Sequence, residues 1–501
     1  MDAPSPEDSE SLDDPDPLSS APPEGEGQRD VSSAGRLSAG LLRLVSFPFV
    51  GLASIFVRQR ISPAVIPARV ARGFGYGELA SLPVEAQPTA EQRRGMRMFW
   101  WDGLFAWFSE TIVLQYLALY ALAFGASNSQ IGLLAALAAL SAAAAFFPGA
   151  RLAETWGRKK LIVVLTGGGA GRLMLLVLAI LPFFSKGGDM IYAIIALAAV
   201  RGFVSSLGTP AWTALSAEIV PVGMRGRFFS WRNIGVGVGG LVSAPLAGFI
   251  IRQFGFAEGW QLAWAIAFLA GIISTSFYAR IPEPEPAERA EEGVTNGAPP
   301  FATLLADRTL LAFCGTALVW NLSLYVAAPF FNVHLVKNLG ASVAWVGGLA
   351  AVMSLFGLLG QAIFGKMVDV RGARLVMVLT GLAIPALPLG WFFVQAPWQV
   401  IFINALGGVA WAGYNLGAFN LLLNIAPADQ RPRYAAAYQT TVFFSAFLGP
   451  LMGGFLAEAY GIKLLFLLSA AGRMSATILF LRLVREVSSE RAERAPAGAE
   501  G

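Results

Sequence analysis

From residue 98 onward the chain alternates long apolar runs with short polar connections. A helix needs about 20 consecutive apolar residues to cross the hydrocarbon core of a bilayer, and each run is about that long. Open strands would leave backbone polar groups unpaired in lipid, so the runs predict helices. We therefore expect twelve transmembrane helices in an all-α integral membrane protein. The runs lie near residues 98–124, 129–149, 161–184, 190–217, 229–252, 259–280, 309–335, 342–365, 374–396, 399–426, 435–458 and 462–483.

The longest polar break, residues 281–308, divides the predicted helices into two groups of six and is rich in proline and glutamate. Residues 39–57 are apolar but short for a span and interrupted by Arg43 and Pro48, which favours an interfacial helix over a loop. The predicted organisation is a disordered acidic tail (1–35), a cytoplasmic or interfacial amphipathic segment (36–95), an N-terminal six-helix bundle (96–280), a cytoplasmic linker (281–308), a C-terminal six-helix bundle (309–485) and a disordered tail (486–501).

Composition supports the lipid bilayer as the surroundings of this chain. Of its 501 residues 55% are hydrophobic and 14% are charged, whereas about a quarter of the residues in soluble domains are charged. The mean hydropathy is +0.60. A net charge of +4 would hint at nucleic acid in a soluble protein, but here the basic residues lie in short loops between apolar runs. We expect the bilayer, and no nucleic acid, as a partner.

The residues of common enzyme and metal sites are scarce. Cys314 is the single cysteine and His334 the single histidine, so the sequence offers no intramolecular disulfide and no cysteine or histidine metal cluster. It also has no glycine loop ending in Gly-Lys-Ser/Thr, the pattern of a nucleotide-driven transporter. We expect no metal, no cofactor and no enzymatic activity.

Lysine and arginine are unevenly distributed among the loops. The loops after helices two, four, eight and ten carry most of them, and basic loops stay on the cytoplasmic side. Both termini are therefore expected in the cytoplasm, with the chain in the cell (inner or plasma) membrane. The basic residues of these loops are Arg151, Arg158, Lys159, Lys160, Arg225, Arg227, Arg232, Lys366, Arg371, Arg374, Arg431 and Arg433.

Three short patterns occur once in each half, in the same order. Aligning Gly157 with Gly372 places Glu154 over Asp369 in the loops after helices two and eight. This order indicates duplication, and alternating access uses two such halves with the site between them near the midplane. The matching segments are the loops 150–159 and 365–374, the loops 221–227 and 427–433, and the Pro-Gly segments 244–248 and 449–454.

The first of these loops resembles the signature of the major facilitator superfamily, Gly-x-Leu-x-Asp-Arg-x-Gly-Arg-Arg. Residues 365–374 match it well, while residues 150–159 have Ala150 for glycine and Glu154 for aspartate. The resemblance covers about residues 95–485 and implies two pseudo-twofold six-helix bundles whose loops gate the cytoplasmic side. The alternative is that the basic residues only fix topology. The gate candidates are Glu154, Gly157, Arg158, Lys159, Arg225, Arg227, Gly365, Asp369, Arg371, Gly372, Arg374, Arg431 and Arg433.

Charged residues inside predicted helices are the strongest functional signal. Each costs about 2.5–3.5 kcal/mol at the bilayer centre and therefore needs a partner, a wet cavity or a function. Glu110, Arg172, Arg201 and Arg473 lie near helix centres, and Asp102 lies nearer the cytoplasmic end of helix one. Burial disfavours an ionised carboxylate while a nearby arginine favours it, so Glu110 between these effects could load and release a proton.

Helix-one carboxylates with a helix-four arginine also resemble proton-coupled multidrug antiporters of the superfamily. Residues 197–201 match the start of their helix-four motif, although serine replaces its later glycine. We interpret Asp102, Glu110, Arg172 and Arg201 as proton-coupling candidates, with the two acids as stations facing one cavity. The alternatives are a static pair of Glu110 with an arginine, and an anionic substrate bound by Arg172.

Amide and aromatic side chains of the second half are candidates to line the substrate path. They are costly against lipid, so we expect them to point inward, and some of them to form only interhelical hydrogen bonds. These candidates are Trp320, Asn321, Tyr325, Gln361, Asn404, Trp411, Tyr414, Asn415 and Gln439.

Together the patterns predict a secondary transporter that works by alternating access and exports a hydrophobic or amphipathic compound in exchange for protons. One alternative is an importer or facilitator of a sugar-like or organic-acid solute. Another is a sensor or scaffold that keeps the fold without transporting anything. We expect a monomer whose partners are the bilayer, a small-molecule substrate and protons.

Overall fold

The computed structural model describes residues 88–184, 188–221, 224–283, 307–425 and 431–483, and the regular elements in this part of the chain are all helical. Twelve helices within these described ranges are long and apolar enough to cross a membrane, which confirms the predicted all-α class. They are α1 (Ala90–Ala123), α2 (Asn128–Trp156), α3 (Lys159–Phe184), α4 (Gly188–Ile219), α5 (Arg225–Phe254), α6 (Glu258–Ala279), α7 (Arg308–Asn338), α8 (Val343–Arg371), α9 (Ala373–Phe393), α10 (Val400–Ile425), α11 (Arg431–Tyr460) and α12 (Ile462–Leu483).

Four predicted segments fall wholly or largely outside the described residues: the tails 1–35 and 486–501, the apolar stretch 39–57 and the linker 281–308. The division of the chain into two bundles joined by that linker stays a prediction.

The first helix begins earlier than the hydropathy pattern predicts. Residues 90–95, expected in the interfacial segment, form the first turns of α1. The reason is a capping box, in which Thr89 Oγ1 accepts a hydrogen bond from Gln92 N at 3.1 Å and the Gln92 side chain accepts one from Thr89 N at 3.0 Å. Such caps can start a helix within a polar segment, and a hydropathy pattern does not detect a start of this kind.

Two of the spanning helices contain a π-helical turn, α3 in its interior and α7 at its end. The turn in α3 covers Thr166–Ala170, within the glycine-rich stretch, and the turn in α7 covers His334–Asn338. The α3 glycines allow a close approach of α6, whose Thr275 Oγ1 donates a hydrogen bond to the carbonyl of Gly168 at 2.9 Å. Because a π turn changes the direction of the side chains that follow, it helps to set where Arg172 points.

The helices pack in the same way in both halves. In the first half α1 packs on α5 and α6, and α2 packs on α4. In the second half α7 packs on α11 and α12, and α10 packs on α8 and α9. Two seams join the halves, α2 with α11 and α5 with α8. These seams are pseudo-equivalent, because the repeat pairs α2 with α8 and α5 with α11.

We call the side that carries the loops after α2, α4, α8 and α10 the basic side, and the other the opposite side. The largest buried apolar cluster joins both halves and includes residues near the opposite-side ends of five helices: Tyr120, Ile131, Trp260, Phe330 and Phe466. The two halves are therefore packed tightly together on the opposite side.

Candidate functional site

Helices α1, α3 and α4 bring one carboxylate and two guanidinium groups together. Glu110 forms a hydrogen-bonded ion pair with Arg201, and Arg172 Nη1 lies 3.7 Å from Oε2 of the same carboxylate. Arg172 Nη1 also donates to Ser109 Oγ at 3.0 Å, and Ser109 Oγ donates to the carbonyl of Ala267 in α6 at 2.7 Å. Glu110 of α1 is thus linked directly to α3 and α4, and through Arg172 and Ser109 to α6.

Glu110 is the most accessible member of this group. Its side chain is 29% exposed, whereas the side chains of Arg172 and Arg201 are each 12% exposed. The Nε atoms of both arginines are buried without a hydrogen-bond partner among the described residues. Two positive charges therefore face one negative charge, and a proton on Glu110 would leave both guanidinium groups without a counter-charge.

Asp102 forms a separate centre nearer the basic side. Ser274 Oγ of α6 donates to Asp102 Oδ1 at 2.7 Å, and Arg232 Nη2 of α5 lies 3.7 Å from Oδ2. The guanidinium carbon of Arg232 lies 4.5 Å from the Phe99 ring centroid and 5.2 Å from that of Trp212. Asp102 is only 6% exposed in the described state, and the expectation that both acids face one cavity stays a prediction. Their spacing on α1 turns them about 80° apart, and Asp102 faces α5 and α6.

The pattern of basic loops misplaced Arg232. It is counted there with the loop after helix four, but α5 begins at Arg225 and Arg232 lies inside it. The apolar run predicted to begin at residue 229 already contained this position, and that was the available signal. Ser109 and Ser274 were missed because serine is common in apolar helices and its hydrogen-bond partners cannot be known from the sequence.

Three second-half candidates form one aromatic cluster. Trp320 and Tyr414 stack with ring centroids 4.3 Å apart and an interplanar angle of 11°. Trp411 packs edge-on against both, at 6.3 Å from Trp320 and 5.8 Å from Tyr414. The guanidinium carbon of Arg473 lies 5.9 Å from the Trp411 ring centroid. This cluster gives the second half an aromatic surface with one cation behind it.

The other second-half candidates divide between structural contacts and exposed positions. Asn321 Nδ2 donates to a carbonyl of its own helix at 2.8 Å, and Asn404 Nδ2 donates to the carbonyl of Leu349 in α8 at 3.1 Å. Tyr325 packs closely against a glycine of α11. The exposed candidates are Gln361, Asn415 and Gln439.

Two of the gate candidates end helices in a conformation that favours glycine. Gly157 and Gly372, which follow α2 and α8, have φ angles of 65° and 83°. Lys159 forms an ion pair with Glu218 of α4, and Arg225 Nη2 donates to a carbonyl in the last turn of α4 at 2.6 Å. Both of these basic side chains therefore contact α4 of their own half.

The remaining gate candidates differ in exposure, and some lie outside the described residues. Glu154, Arg158 and Arg371 are exposed, and Gly365 and Arg374 are partly buried. The side chains of four further gate candidates lie outside the described residues: Arg227, Asp369, Arg431 and Arg433. The gating role of these loops stays a prediction.

Among the described residues, polar contacts between the halves are found at the opposite side. Asn332 Nδ2 of α7 donates to Gln115 Oε1 of α1 at 3.1 Å. The Glu458 carboxylate of α11 accepts a hydrogen bond from the backbone N–H of Asn128 at 2.9 Å, at the N-terminus of α2, where a negative charge is favourable. Together with the apolar cluster, these contacts close the opposite side.

Comparisons with known proteins agree with this architecture. The chain matches the family model described as Major Facilitator Superfamily over residues 103–335 and 321–500. It is 31% identical over 184 residues to the multi-drug resistance efflux pump PmrA of Streptococcus pneumoniae, which is 36% of this chain and 45% of that pump. The match therefore spans less than half the length of this relative.

Two further likenesses cover more of the chain. It is 24% identical over 388 residues to the multidrug resistance protein MdtG of Dickeya zeae, which is 76% of this chain and 91% of that protein. The crystal structure of the nucleoside transporter NupG matches with a TM-score of 0.64 and 15% identity, over 78% of this chain and 100% of that one. At this identity the structural likeness shows the fold alone.

Proposed function

This chain belongs to the Major Facilitator Superfamily, and we propose that it exports small amphipathic compounds by alternating access in exchange for protons. The proposal places the protein as a monomer in the cell membrane, with both termini and the basic side in the cytoplasm. The names of the two sequence relatives, a multi-drug efflux pump and a multidrug resistance protein, support compounds of this kind.

The observation that carries the proposal is the position of Glu110 between Arg201 and Arg172. An acid embedded in the membrane is costly and is retained where it has a role. Part of its side chain is exposed, and in this proposal that part meets water during transport, while the two guanidinium groups compete with a proton for its negative charge. A group of this kind exchanges an ion pair for a bound proton.

The described state, closed on the opposite side, corresponds to the stage after proton release. In the state open to the outside, a proton neutralises Glu110 and removes the counter-charge of Arg201 and Arg172. Two unpaired positive charges then repel each other, which favours loss of the proton and return to the present arrangement of Arg172 and Arg201 around Glu110. Release of the proton into the cytoplasm restores the pair, so protons move inward while the compound moves outward.

Asp102 has a different role in this proposal. It is more deeply buried than Glu110 and is held by both Ser274 and Arg232. We assign it to positioning α1 against α5 and α6, so that Glu110 stays at the correct depth while the helices move.

The test uses the purified full-length protein in liposomes with an acidic interior, and measures uptake of rhodamine 6G and 2-naphthoate. In inverted orientation the wild type should accumulate at least one of these compounds as long as the pH gradient lasts. Glu110→Gln cannot exchange a proton, so gradient-driven uptake should fall to background while exchange of labelled for unlabelled compound continues.

The matched control is Glu258→Gln, which changes an exposed glutamate at the start of α6 and should behave like the wild type. Undiminished gradient-driven uptake by Glu110→Gln would rule out this residue as the coupling site. If the wild type moved neither rhodamine 6G nor 2-naphthoate, with or without a gradient, this result would argue against transport itself.

A further inference from the structure

Arg473 is the arginine in the middle of a second-half helix. It lies about 16 Å along α12 from Ile462, close to half the thickness of the hydrocarbon core. The residue is 2% exposed, and its Nε and Nη2 atoms have no hydrogen-bond partner among the described residues. A charge in this position requires compensation by a partner or a ligand.

The second half provides no acid at that depth. Between residues 308 and 483 the sequence contains three acids: Asp369 and Glu458, which lie near helix ends, and Asp429, which falls in the loop that the sequence predicts after helix ten. The two acids embedded in the first half face arginines of their own half. The ring of Trp411 offers Arg473 a cation–π contact at 5.9 Å, which stabilises the charge but does not neutralise it.

A small cleft inside the second half is lined by neighbours of Arg473 and of Trp411, although Arg473 itself lies outside its walls. Thr477, one turn after Arg473 on the same face of α12, lines the cleft. Tyr414, which packs against Trp411, forms another wall, and Phe313 adds a further aromatic ring. The cleft therefore has aromatic and apolar walls, and the pair Tyr414 and Trp411 separates it from Arg473, which lacks a counter-charge.

We propose that this cleft binds the aromatic part of an amphipathic organic anion and that Arg473 pairs with its carboxylate or sulfonate group. A guanidinium group binds such planar acids through two parallel hydrogen bonds. In the described state the Trp411 ring packs on Arg473, so binding turns this ring and its neighbour Tyr414 aside and replaces a cation–π contact with an ion pair.

The charges of the membrane-embedded residues agree with an anionic ligand. The described spans bury four arginines, at positions 172, 201, 232 and 473, but only two acids, Asp102 and Glu110, and these pair with the first three arginines. An anion bound at Arg473 reduces this excess of positive charge. The inference rests on the proposed export function and narrows its substrate class.

Three naphthalene probes of nearly equal size test the proposal with the wild-type protein alone. They are 2-naphthoate, which is anionic, 2-naphthalenemethanol, which is neutral, and 2-naphthylmethylammonium, which is cationic. Binding to the protein in lipid nanodiscs is measured by isothermal titration calorimetry, with empty nanodiscs subtracted. We expect 2-naphthoate to bind about tenfold more tightly than the neutral probe, and the cation to bind most weakly.

Substitutions then identify the residue responsible. Arg473→Gln should weaken 2-naphthoate binding about tenfold and leave the neutral probe unchanged, while Arg473→Lys, which keeps the charge, should lose less. The control Arg482→Gln removes an exposed arginine at the end of the same helix and should change neither probe.

Two results would overturn the proposal. The first is an equal affinity of the wild type for the three probes. The second is an equal loss of affinity for all three probes in Arg473→Gln, which would indicate that Arg473 only has a packing role. Since the wild-type preference needs no variant, a variant that fails to fold leaves the test intact. Preferential, Arg473-dependent binding of 2-naphthoate without pH-driven movement would support this site and contradict export. Gradient-driven movement of rhodamine 6G without a preference for 2-naphthoate would support export and contradict this site.

Discussion

At the scale of single residues, two acids on one helix have different surroundings. The Glu110 side chain is 29% exposed and shared between two arginines, whereas the Asp102 side chain is 8% exposed and fixed by Ser274 and Arg232. A carboxylate that exchanges protons must be reachable, and one that positions a helix benefits from being enclosed. On this contrast we base the proposal that Glu110 couples transport to protons and that Asp102 positions α1.

Removal of the enclosed charge should reduce stability more than removal of the accessible one. Asp102→Asn leaves Arg232 buried without its counter-charge, which for buried pairs costs about 3–5 kcal/mol. We expect a clearly lower midpoint of thermal unfolding in detergent, measured by tryptophan fluorescence. Glu110→Gln should lower the midpoint less.

The double variant Asp102→Asn with Arg232→Gln is the control for this interpretation. Because it removes both charges, it should recover part of the lost stability. An unfolding midpoint of Asp102→Asn equal to that of the wild type would show that the pair does not hold α1 in place.

The charged residues of the site could be predicted from the sequence, but their pairing could not. Hydropathy identifies Glu110, Arg172 and Arg201 because a charge stands out in an apolar run. The partner of Asp102 comes from α5, which a single sequence cannot place beside α1. Asn321 shows the same limit, because an amide that bonds to its own helix looks like one that lines a passage.

At the scale of helices, apolar runs predict the spans well and their ends less well. The spans were found because lipid requires an apolar surface over a fixed length. Their ends depend on caps such as Thr89 with Gln92, and on glycines such as Gly372, which operate in polar sequence. The π turn in α3 was also not predicted, although the glycine-rich stretch marked its place.

The close packing of α3 against α6 gives a prediction about Arg172. A Cβ atom at Gly271 of α6 would overlap the Arg172 side chain, so this glycine provides the space in which the guanidinium group lies. Gly271→Ala should displace Arg172 from Glu110, lower stability by about 1–3 kcal/mol and reduce proton-driven uptake. Thermal unfolding and liposome uptake measure the two effects.

Gly315→Ala in α7 is the matched control, because a Cβ atom there meets nothing within 4 Å. It should keep full uptake and the wild-type unfolding midpoint or a slightly higher one. If Gly271→Ala transported as well as Gly315→Ala, the position of Arg172 would not matter for coupling.

At the scale of the whole molecule, the repeat in the sequence has a counterpart in the seams between the halves. Gly132 of α2 packs against Pro450 and Gly454 in the Pro-Gly segment of α11. Gly347 of α8 packs against Pro245 in the corresponding segment of α5. Gly132 lies as far before the end of α2 as Gly347 lies before the end of α8. The two glycines therefore occupy equivalent positions in the repeat, and the duplication relates the two contacts.

These seams should control whether the opposite side can close. A leucine at Gly132 or Gly347 has no room against the facing backbone, so Gly132→Leu and Gly347→Leu should each favour the state open to the opposite side. Spin labels at Gly125 and Lys337, in a Cys314→Ala background, report the separation of the halves there by pulsed electron resonance. Both variants should shift the distance distribution to larger values, and by similar amounts.

Gly188→Leu is the control, because it adds the same side chain at the opposite side where a Cβ atom meets nothing within 4 Å. It should leave the distance distribution of the wild type unchanged. If only one of the two seam variants opened that side, the halves would not act as equivalent parts, and the duplication would explain the architecture but not the closure. If neither did, the opposite side would be held by Glu458, Gln115 and the apolar cluster, and the glycines would serve packing alone.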